Sequence, residues 1–278
     1  MKTLLRETWR LWNALALRRS RLRADPRRLS VAITTWNRAD RVLALVPILL
    51  QDPRIGEVVV RDDASAPADY EKLARGLAPM GARVRLHRND QNRGPFANKV
   101  AAVADCSLEW ALLLDSDNHV GKDYLDALFL LPAWSPQVMY CPQFGWPNFD
   151  FSLLAGAPLD CHGAAEMTAG PANELMRVFL NTGNYVVPVK EYVRRLAPFA
   201  TRRVPPDVIF ANLIWLHQGG LLHTVPGMAY EHVLHEGSWF RATAQESKTM
   251  VKQMATALVS RNPEDLTSLL ETLGREQK

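Results

Sequence analysis

The chain of 278 residues, 47% hydrophobic and 22% charged, has the composition of a soluble globular protein with room for one large α/β domain or two small ones. Its net charge of +4 is unevenly spread: residues 1–30 hold nine Lys or Arg against Glu7 and Asp25, a balance of +7, so the remainder sums to 4 − 7 = −3. A mildly acidic body argues against a nucleic-acid binder, and three scattered cysteines (Cys106, Cys141, Cys161) give no disulfide framework and no zinc signature, which suits a reducing compartment.

In chain order, residues 2–18 read as an amphipathic helix. At about 100° per residue, Leu4, Leu5, Thr8, Trp9, Leu11, Trp12, Leu15 and Ala16 share one half of the wheel and Lys2, Arg6, Arg10 and Asn13 the other, with Leu17 the exception. Two Trp on the apolar face, followed by Arg18, Arg19, Arg21 and Arg23, fit an interfacial helix on an anionic membrane surface. Packing on the domain or on a second subunit is the competing use. The apolar run LWNALAL leads into arginines, which argues against a cleaved signal peptide, and no window reaches the ~20 apolar residues of a membrane span.

A first strand is predicted over Ser30–Trp36, then a helix over Asp40–Leu50 containing Pro47, and a strand over Glu57–Arg61 ending at Asp62 and Asp63. Ser65 is placed to cap a helix through Pro67, Tyr70, Leu73 and Leu77. A strand over Ala82–His87, a helix over Gly94–Ala104, a strand from Trp110 into Asp115 and a helix over Lys122–Leu131 complete a βαβαβαβ order, which implies a largely parallel sheet. From Pro136 to Pro171 no period is visible, and the stretch reads as a long loop region of the kind that usually carries function. A strand over Met176–Val187, a helix from Pro205 to about His217, an extended segment over Met228–His235 and two C-terminal helices follow, the second opened by Asn262, Pro263 and Asp265.

Ligands of open α/β sheets bind beyond the carboxyl ends of the strands. Here those ends read Thr34-Thr35-Trp36-Asn37-Arg38, then Asp62-Asp63-Ala64-Ser65, then Asn89 to Gly94, then Asp115-Ser116-Asp117-Asn118. One such end is ordinary turn chemistry; four in succession, two with paired acids, point to a site. Two carboxylates at i and i+2 on the tip of the apolar strand WALLLDSDN concentrate the negative charge that a divalent cation needs.

The succession AITTWNR, VVVRDDAS, NRGPFANKV and LLLDSDN resembles the nucleotide-sugar domain of GT-A glycosyltransferases of the family 2 type, over roughly residues 30–130 and more weakly to about 240. The resemblance implies an α/β three-layer sandwich with a mainly parallel central sheet, an N-terminal helix over 1–29 and C-terminal helices over 241–278. Within 30–240, it implies a nucleotide-binding half, 30–135, and an acceptor and metal half, 136–240. The implied activity is the transfer of a sugar from a nucleoside diphosphate sugar, UDP by default, to a glycan or lipid-linked acceptor. It would be metal-dependent (Mn²⁺ or Mg²⁺), inverting, non-processive and cytoplasmic, possible at the inner face of the membrane.

By that resemblance Thr34, Thr35, Asn37, Arg38, Asp62 and Asp63 surround the base and ribose, and Asn92, Arg93, Asn98, Lys99 and Ser116 add polar and positive groups toward the donor. Asp117 ligates the metal, and Asp115 faces the ribose or the metal. A base is expected at a helix start, where VPPDVIFANLIW offers Asp207, although Pro-Pro-Asp is also plain helix-start chemistry and Pro206 replaces the usual acid. Asn181, Thr182, Gly183 and Asn184 are expected to border the donor sugar. In MAYEHVLHEGSW, His232 and His235 point to opposite faces of an extended segment, so one can serve the metal: His235 by preference, His232 otherwise.

Departures and rivals are specific. The usual Gly of the DDGS turn is Ala64, which disfavours a positive φ there, and no Q-x-x-R-W follows, against a processive synthase. A calcium loop would need Gly where Val120 stands, a DxD phosphatase would not have His119 after Asn118, and a dehydrogenase would show G-x-G-x-x-G. A non-catalytic GT-A-like scaffold is the rival from another class.

Overall fold

The computed structural model describes residues 25–201, 204, 206–233 and 244–273. The amphipathic helix read over residues 2–18 and the preferred metal ligand His235 lie outside the described residues. Among the described residues, no helix is long and apolar enough to cross a membrane.

The first half alternates as the sequence predicts: β1 (Leu29–Thr35), α1 (Ala39–Leu49), β2 (Ile55–Asp62), α2 (Pro67–Leu77), β3 (Val84–Arg88), α3 (Pro95–Ala104) and β4 (Trp110–Asp115). Strands β3, β2, β1 and β4 lie side by side in that order, all parallel. Their inner members are covered on both faces, so they read as unbroken apolar runs instead of alternating ones: Val58, Val59 and Val60 are all fully buried. Val31, Ile33, Leu112 and Leu114 pack with α1 and α2 on one side, while Ala32 and Ala111 pack with α3 on the other. This is the three-layer sandwich expected.

The second half adds β5 (His119–Val120), α4 (Lys122–Phe129), β6 (Val138–Trp146), β7 (Phe149–Asp150), β8 (Pro158–Leu159), α5 (Cys161–Ala169), α6 (Asn173–Leu180) and β9 (Val186–Pro188). After these come α7 (Val189–Leu196), α8 (Asp207–His217), β10 (Leu221–Glu231), α9 (Ala244–Val259) and α10 (Pro263–Thr272). The sheet continues from β4 through β9, β6 and β10 to β5, with β7 on β6 and β8 on β10. Strand β9 runs antiparallel to both β4 and β6, and β10 runs parallel to β6. Helix α8 is apolar nearly all round and buried from Ile209 to Leu216, as a helix threaded through a core must be.

Four expectations are corrected. The stretch read as a long loop contains β6, β7, β8 and α5; Pro142 and Gly145 within β6 hid its pattern, and the β6–β10 register shifts just beyond the pair of Val225 with Pro142. Met176–Val187, read as a strand, is the last part of α6, a turn and the start of β9; Met176, Phe179 and Leu180 are spaced to bury one helix face. Ser65 does not cap α2, which begins after Ala66; its Oγ instead accepts from the Asn37 N–H at 2.7 Å. Ala64 does adopt the positive φ that the sequence argued against, at +57°. Asp63 N–H bonding to Thr35 O at 2.9 Å and Ser65 N–H to Asp62 Oδ2 at 3.0 Å hold the turn on either side of it.

A left-handed alanine costs about 1 kcal/mol that glycine would not incur. Ala64→Gly is therefore expected to raise the urea midpoint, with a gain of up to about 1 kcal/mol; a lowered midpoint would show that the turn carries no such strain.

Candidate active site

The carboxyl ends of β1, β2 and β4 and the starts of α3 and α8 open onto one cleft of about 740 Å³. Thr34, Thr35, Trp36 and Arg38 line it from β1, Asp63 from β2, Asn92, Asn98 and Lys99 from α3 and the loop before it, and Asp115, Ser116 and Asp117 from β4. Asn181, Gly183, Asp207 and His232 close it from the second half. Thr35 Oγ1 is buried beside the cleft without a hydrogen-bond partner among the described residues.

Three expected residues lie off the cleft wall. Asn37 accepts the Ala66 N–H at 2.8 Å and so ties β1 to the following turn. Asp62 is fully buried, between the Ser65 N–H and the Arg88 Nε at 3.4 Å. Arg93 contributes its backbone N–H, at 2.8 Å, to Asp63 Oδ1. Asp63 itself is largely spent inside the protein, since its carboxylate also accepts from Asn89 Nδ2 at 2.7 Å and from the Gly94 N–H at 2.9 Å. Gly94, at a φ of +82°, then turns the chain into α3.

Charge is concentrated where β4 ends. Lys99, only 9% exposed, places Nζ 2.9 Å from Asp115 Oδ1 and 2.8 Å from Asp207 Oδ2. Arg38 Nη1 lies 2.7 Å from Asp117 Oδ2. Burial pushes the Asp115 carboxyl above the usual carboxylate range; Lys99 pulls it down, and Asp117 and Asp207 push it up again. For Lys99 burial works toward a lower value, but Asp115 and Asp207 outweigh it and hold the ammonium above the ordinary lysine range. Asn184, in a left-handed conformation, accepts the Asp115 N–H on Oδ1 at 3.0 Å and the Tyr124 hydroxyl on its carbonyl at 2.5 Å. A Cβ on Gly183 would stand 3.6 Å from Asp115 Oδ2, an ordinary van der Waals distance, so the space beside the acid would admit a small side chain.

His232 packs at a tilt of 44° against Phe149 with ring centroids 4.6 Å apart, and its Nδ1 meets Asn148 Nδ2 at 2.8 Å. Burial lowers its pKa, against the pull of Asp117 and Asp115, which favours the neutral ring. Among the described residues, no three His, Cys, Asp or Glu side chains cluster closely enough to cage an ion. The donor set at Asp117 nonetheless suits Mg²⁺ or Mn²⁺, which take one or two carboxylates and fill their remaining positions with phosphate oxygens and water.

Sequence reasoning missed one wall. Glu174, Arg177 and Val178 of α6 and Lys248 and Val251 of α9 line the cleft opposite the acids. Reading α6 as a strand hid the helical spacing that brings Glu174, Arg177 and Val178 onto one face, and Arg177 Nη1 bonds Glu174 Oε1 there at 2.9 Å.

Residues 30–152 match the family model described as Glycosyl transferase family 2. The chain is similar to the succinoglycan biosynthesis protein ExoO of Rhizobium meliloti (strain 1021), 36% identical over 224 residues, which make up 76% of this chain and 62% of ExoO. To the succinoglycan biosynthesis protein ExoU of the same organism it is 31% identical over 111 residues, 40% of this chain and 32% of ExoU. The chain thus spans about three fifths of one curated relative and a third of the other. Among solved structures, the mannosyltransferase PcManGT from Pyrobaculum calidifontis, in complex with GDP-Man and Mn²⁺, has a TM-score of 0.58 at 16% identity over 94% of this chain and 75% of that one. S. aureus TarS in complex with UDP-GlcNAc has a TM-score of 0.60 at 13% identity over 88% of this chain and 71% of that one. At such identities the likeness is one of fold, and the fold is GT-A.

The bonds to Asp63 yield a stability prediction. Asp63→Ala leaves the Arg93 and Gly94 N–H groups without their acceptor, and a loss of about 2–4 kcal/mol is expected in urea unfolding. A residue serving only a ligand would leave the midpoint unchanged.

Proposed function

Residues 30–152 are a glycosyl transferase family 2 domain on a GT-A fold, and from that premise we propose that the chain moves a glycosyl group from a nucleoside diphosphate sugar to a hydroxyl of a glycan or lipid-linked glycan. The observation that carries this reading is the meeting of Asp115, Asp117 and Asp207, from β4 and the start of α8, on one cleft at the strand ends. A nucleotide sugar as donor is supported by the GDP-Man and UDP-GlcNAc held by proteins of the same fold, with UDP the default. A polysaccharide intermediate as acceptor is supported by the succinoglycan biosynthesis named for the two relatives.

The residues divide the work as follows. The β1 end (Thr34, Thr35) takes the base and ribose, with Asp63 bracing the wall behind it; residues 30–135 form the nucleotide half, 136–240 the acceptor and metal half, and 241–278 the C-terminal helices. Asp117 would hold the divalent metal in exchange for its pairing with Arg38, with Asp115 beside it and His235, or His232 in its place, as the further candidate ligand. The metal, when bound, supplies Lewis-acid neutralisation of the diphosphate leaving group. Asp207 takes the proton from the acceptor hydroxyl as that oxygen attacks the anomeric carbon from the side opposite the diphosphate, which inverts the centre. Trp36 and Phe149 on the cleft wall offer apolar faces to sugar rings.

The test begins with UDP-, GDP- and dTDP-sugars, scored with Mn²⁺ by thermal shift and by nucleoside diphosphate release. With the donor so identified, Asp207→Asn is expected to lower kcat by about 10²–10⁴-fold while nucleotide affinity stays within about threefold of wild type. Near-normal turnover would remove Asp207 as base. Binding without any turnover would favour the scaffold reading.

The basic N-terminus fits an acceptor presented at a bilayer, on the cytoplasmic face. Full-length protein is expected to co-sediment with anionic vesicles, to be released by high salt, and to lose binding when Trp9 and Trp12 become Glu. Equal binding by a chain beginning at Arg28 would refute the peripheral-membrane role.

A further inference from the structure

The transfer reading leaves Lys99 as one more donor-binding cation; its geometry points elsewhere. We propose that Lys99 is the positioning residue of the reaction: its ammonium fixes the Asp207 carboxylate against Asp115, so that the base stands at a set place relative to the donor. The proposal rests on the transfer reading.

An ammonium has three protons to donate. Two of its directions are taken, by Asp115 at 2.9 Å and Asp207 at 2.8 Å. The stem is buried, so the head cannot swing out to meet a diphosphate as a surface lysine would.

The helix that carries Lys99 is itself anchored at three points. Asp63 holds the turn into α3 through the Gly94 N–H at 2.9 Å. Asn98 donates Nδ2 to Arg61 O at 3.2 Å and accepts Asn89 Nδ2 at 2.9 Å, which ties α3 to the end of β2. Phe96 packs edge-on against Phe210 with ring centroids 4.9 Å apart, which ties it to α8, the helix that begins at Asp207. Asp115 is fixed in turn by Asn184. Lys99 thus links three rigid elements, β4, α3 and α8.

Without a cation between them, two partly buried carboxylates repel, and Asp207 at the start of α8 is no longer held against Asp115. A displacement of about 1 Å of a catalytic group is enough to cost on the order of 100-fold in rate.

The experiment compares the wild type, Lys99→Met, Lys99→Arg, Asp207→Asn and the Lys99→Met/Asp207→Asn pair. It measures kcat with the donor selected by the panel, and the Kd of that donor's nucleoside diphosphate with Mn²⁺ by calorimetry. Lys99→Met is expected to lower kcat by about 100-fold or more while Kd rises less than about tenfold. Lys99→Arg, with a longer and planar cation, should fall between, about tenfold below wild type in kcat. The double variant should lose no more than about threefold beyond Asp207→Asn, because Lys99 acts through that carboxylate. If Lys99→Met does not fold, Lys99→Arg decides: lowered kcat at unchanged Kd upholds the inference. Wild-type kcat in either variant overturns it, as does a rise in Kd with kcat retained, which would make Lys99 a donor-binding residue. Wild-type protein that turns over no donor overturns the transfer reading and this inference together.

Discussion

Three carboxylates share one corner of the cleft, and the fold tolerates them because two cations of its own stand among them. Asp115 and Asp207 are bridged by Lys99, and Asp117 is paired with Arg38. Isolated buried carboxylates would be strongly disfavoured. Two cations against three acids leave the corner with a net charge of −1 when all three acids are ionised. The arrangement also makes the corner a structural joint, since these five residues come from the turn between β1 and α1, α3, β4, the turn after it and α8.

The apparatus behind that joint explains why so many polar residues at strand ends never reach the cleft. Asp63, Asn89 and Asn98 form a buried chain of hydrogen bonds between β2 and α3. Asn37, Ser65 and Asp62 do the same for the turn after β2. All of these but the exposed Asn37 are buried and must be paired, and their pairing braces the strand ends and the start of α3. Polar strand ends in this protein therefore comprise two populations, one facing the ligand space and one bracing it.

That distinction marks the limit of what the sequence made legible. The alternation through β4, the buried character of its strands and the four polar strand ends were all readable, because period and composition are local properties. The DSD corner was readable because paired acids on an apolar strand have few other uses. Asp62, Asn37 and Arg93 were assigned to the ligand because residue type alone does not tell an inward amide from an outward one. The second half was harder for a physical reason: Pro142, Gly145, Pro226 and Gly227 interrupt β6 and β10, and the partners that stabilise these strands are far away in sequence. In α6 the β-branched and aromatic residues Val178 and Phe179 suggested a strand, and only packing against α5 and α8 makes it a helix.

The two walls of the cleft differ in kind. The wall from β1, β2, β4 and α3 is tied to the sheet, with Asp63 and Lys99 nearly sealed from solvent. The opposite wall is two helix faces, α6 and α9, presenting Glu174, Arg177, Val178 and Lys248, with 39% of Val178 exposed. A group transfer needs one reactant fixed to within a fraction of an ångström of the base, and the sheet supplies that rigidity on the side where the acids stand. Among the described residues the hydrogen bond of this wall's Arg177 is made within the helix, to Glu174. Substitutions at Glu174, Arg177 or Lys248 are therefore expected to leave Lys99 and its two carboxylates in place.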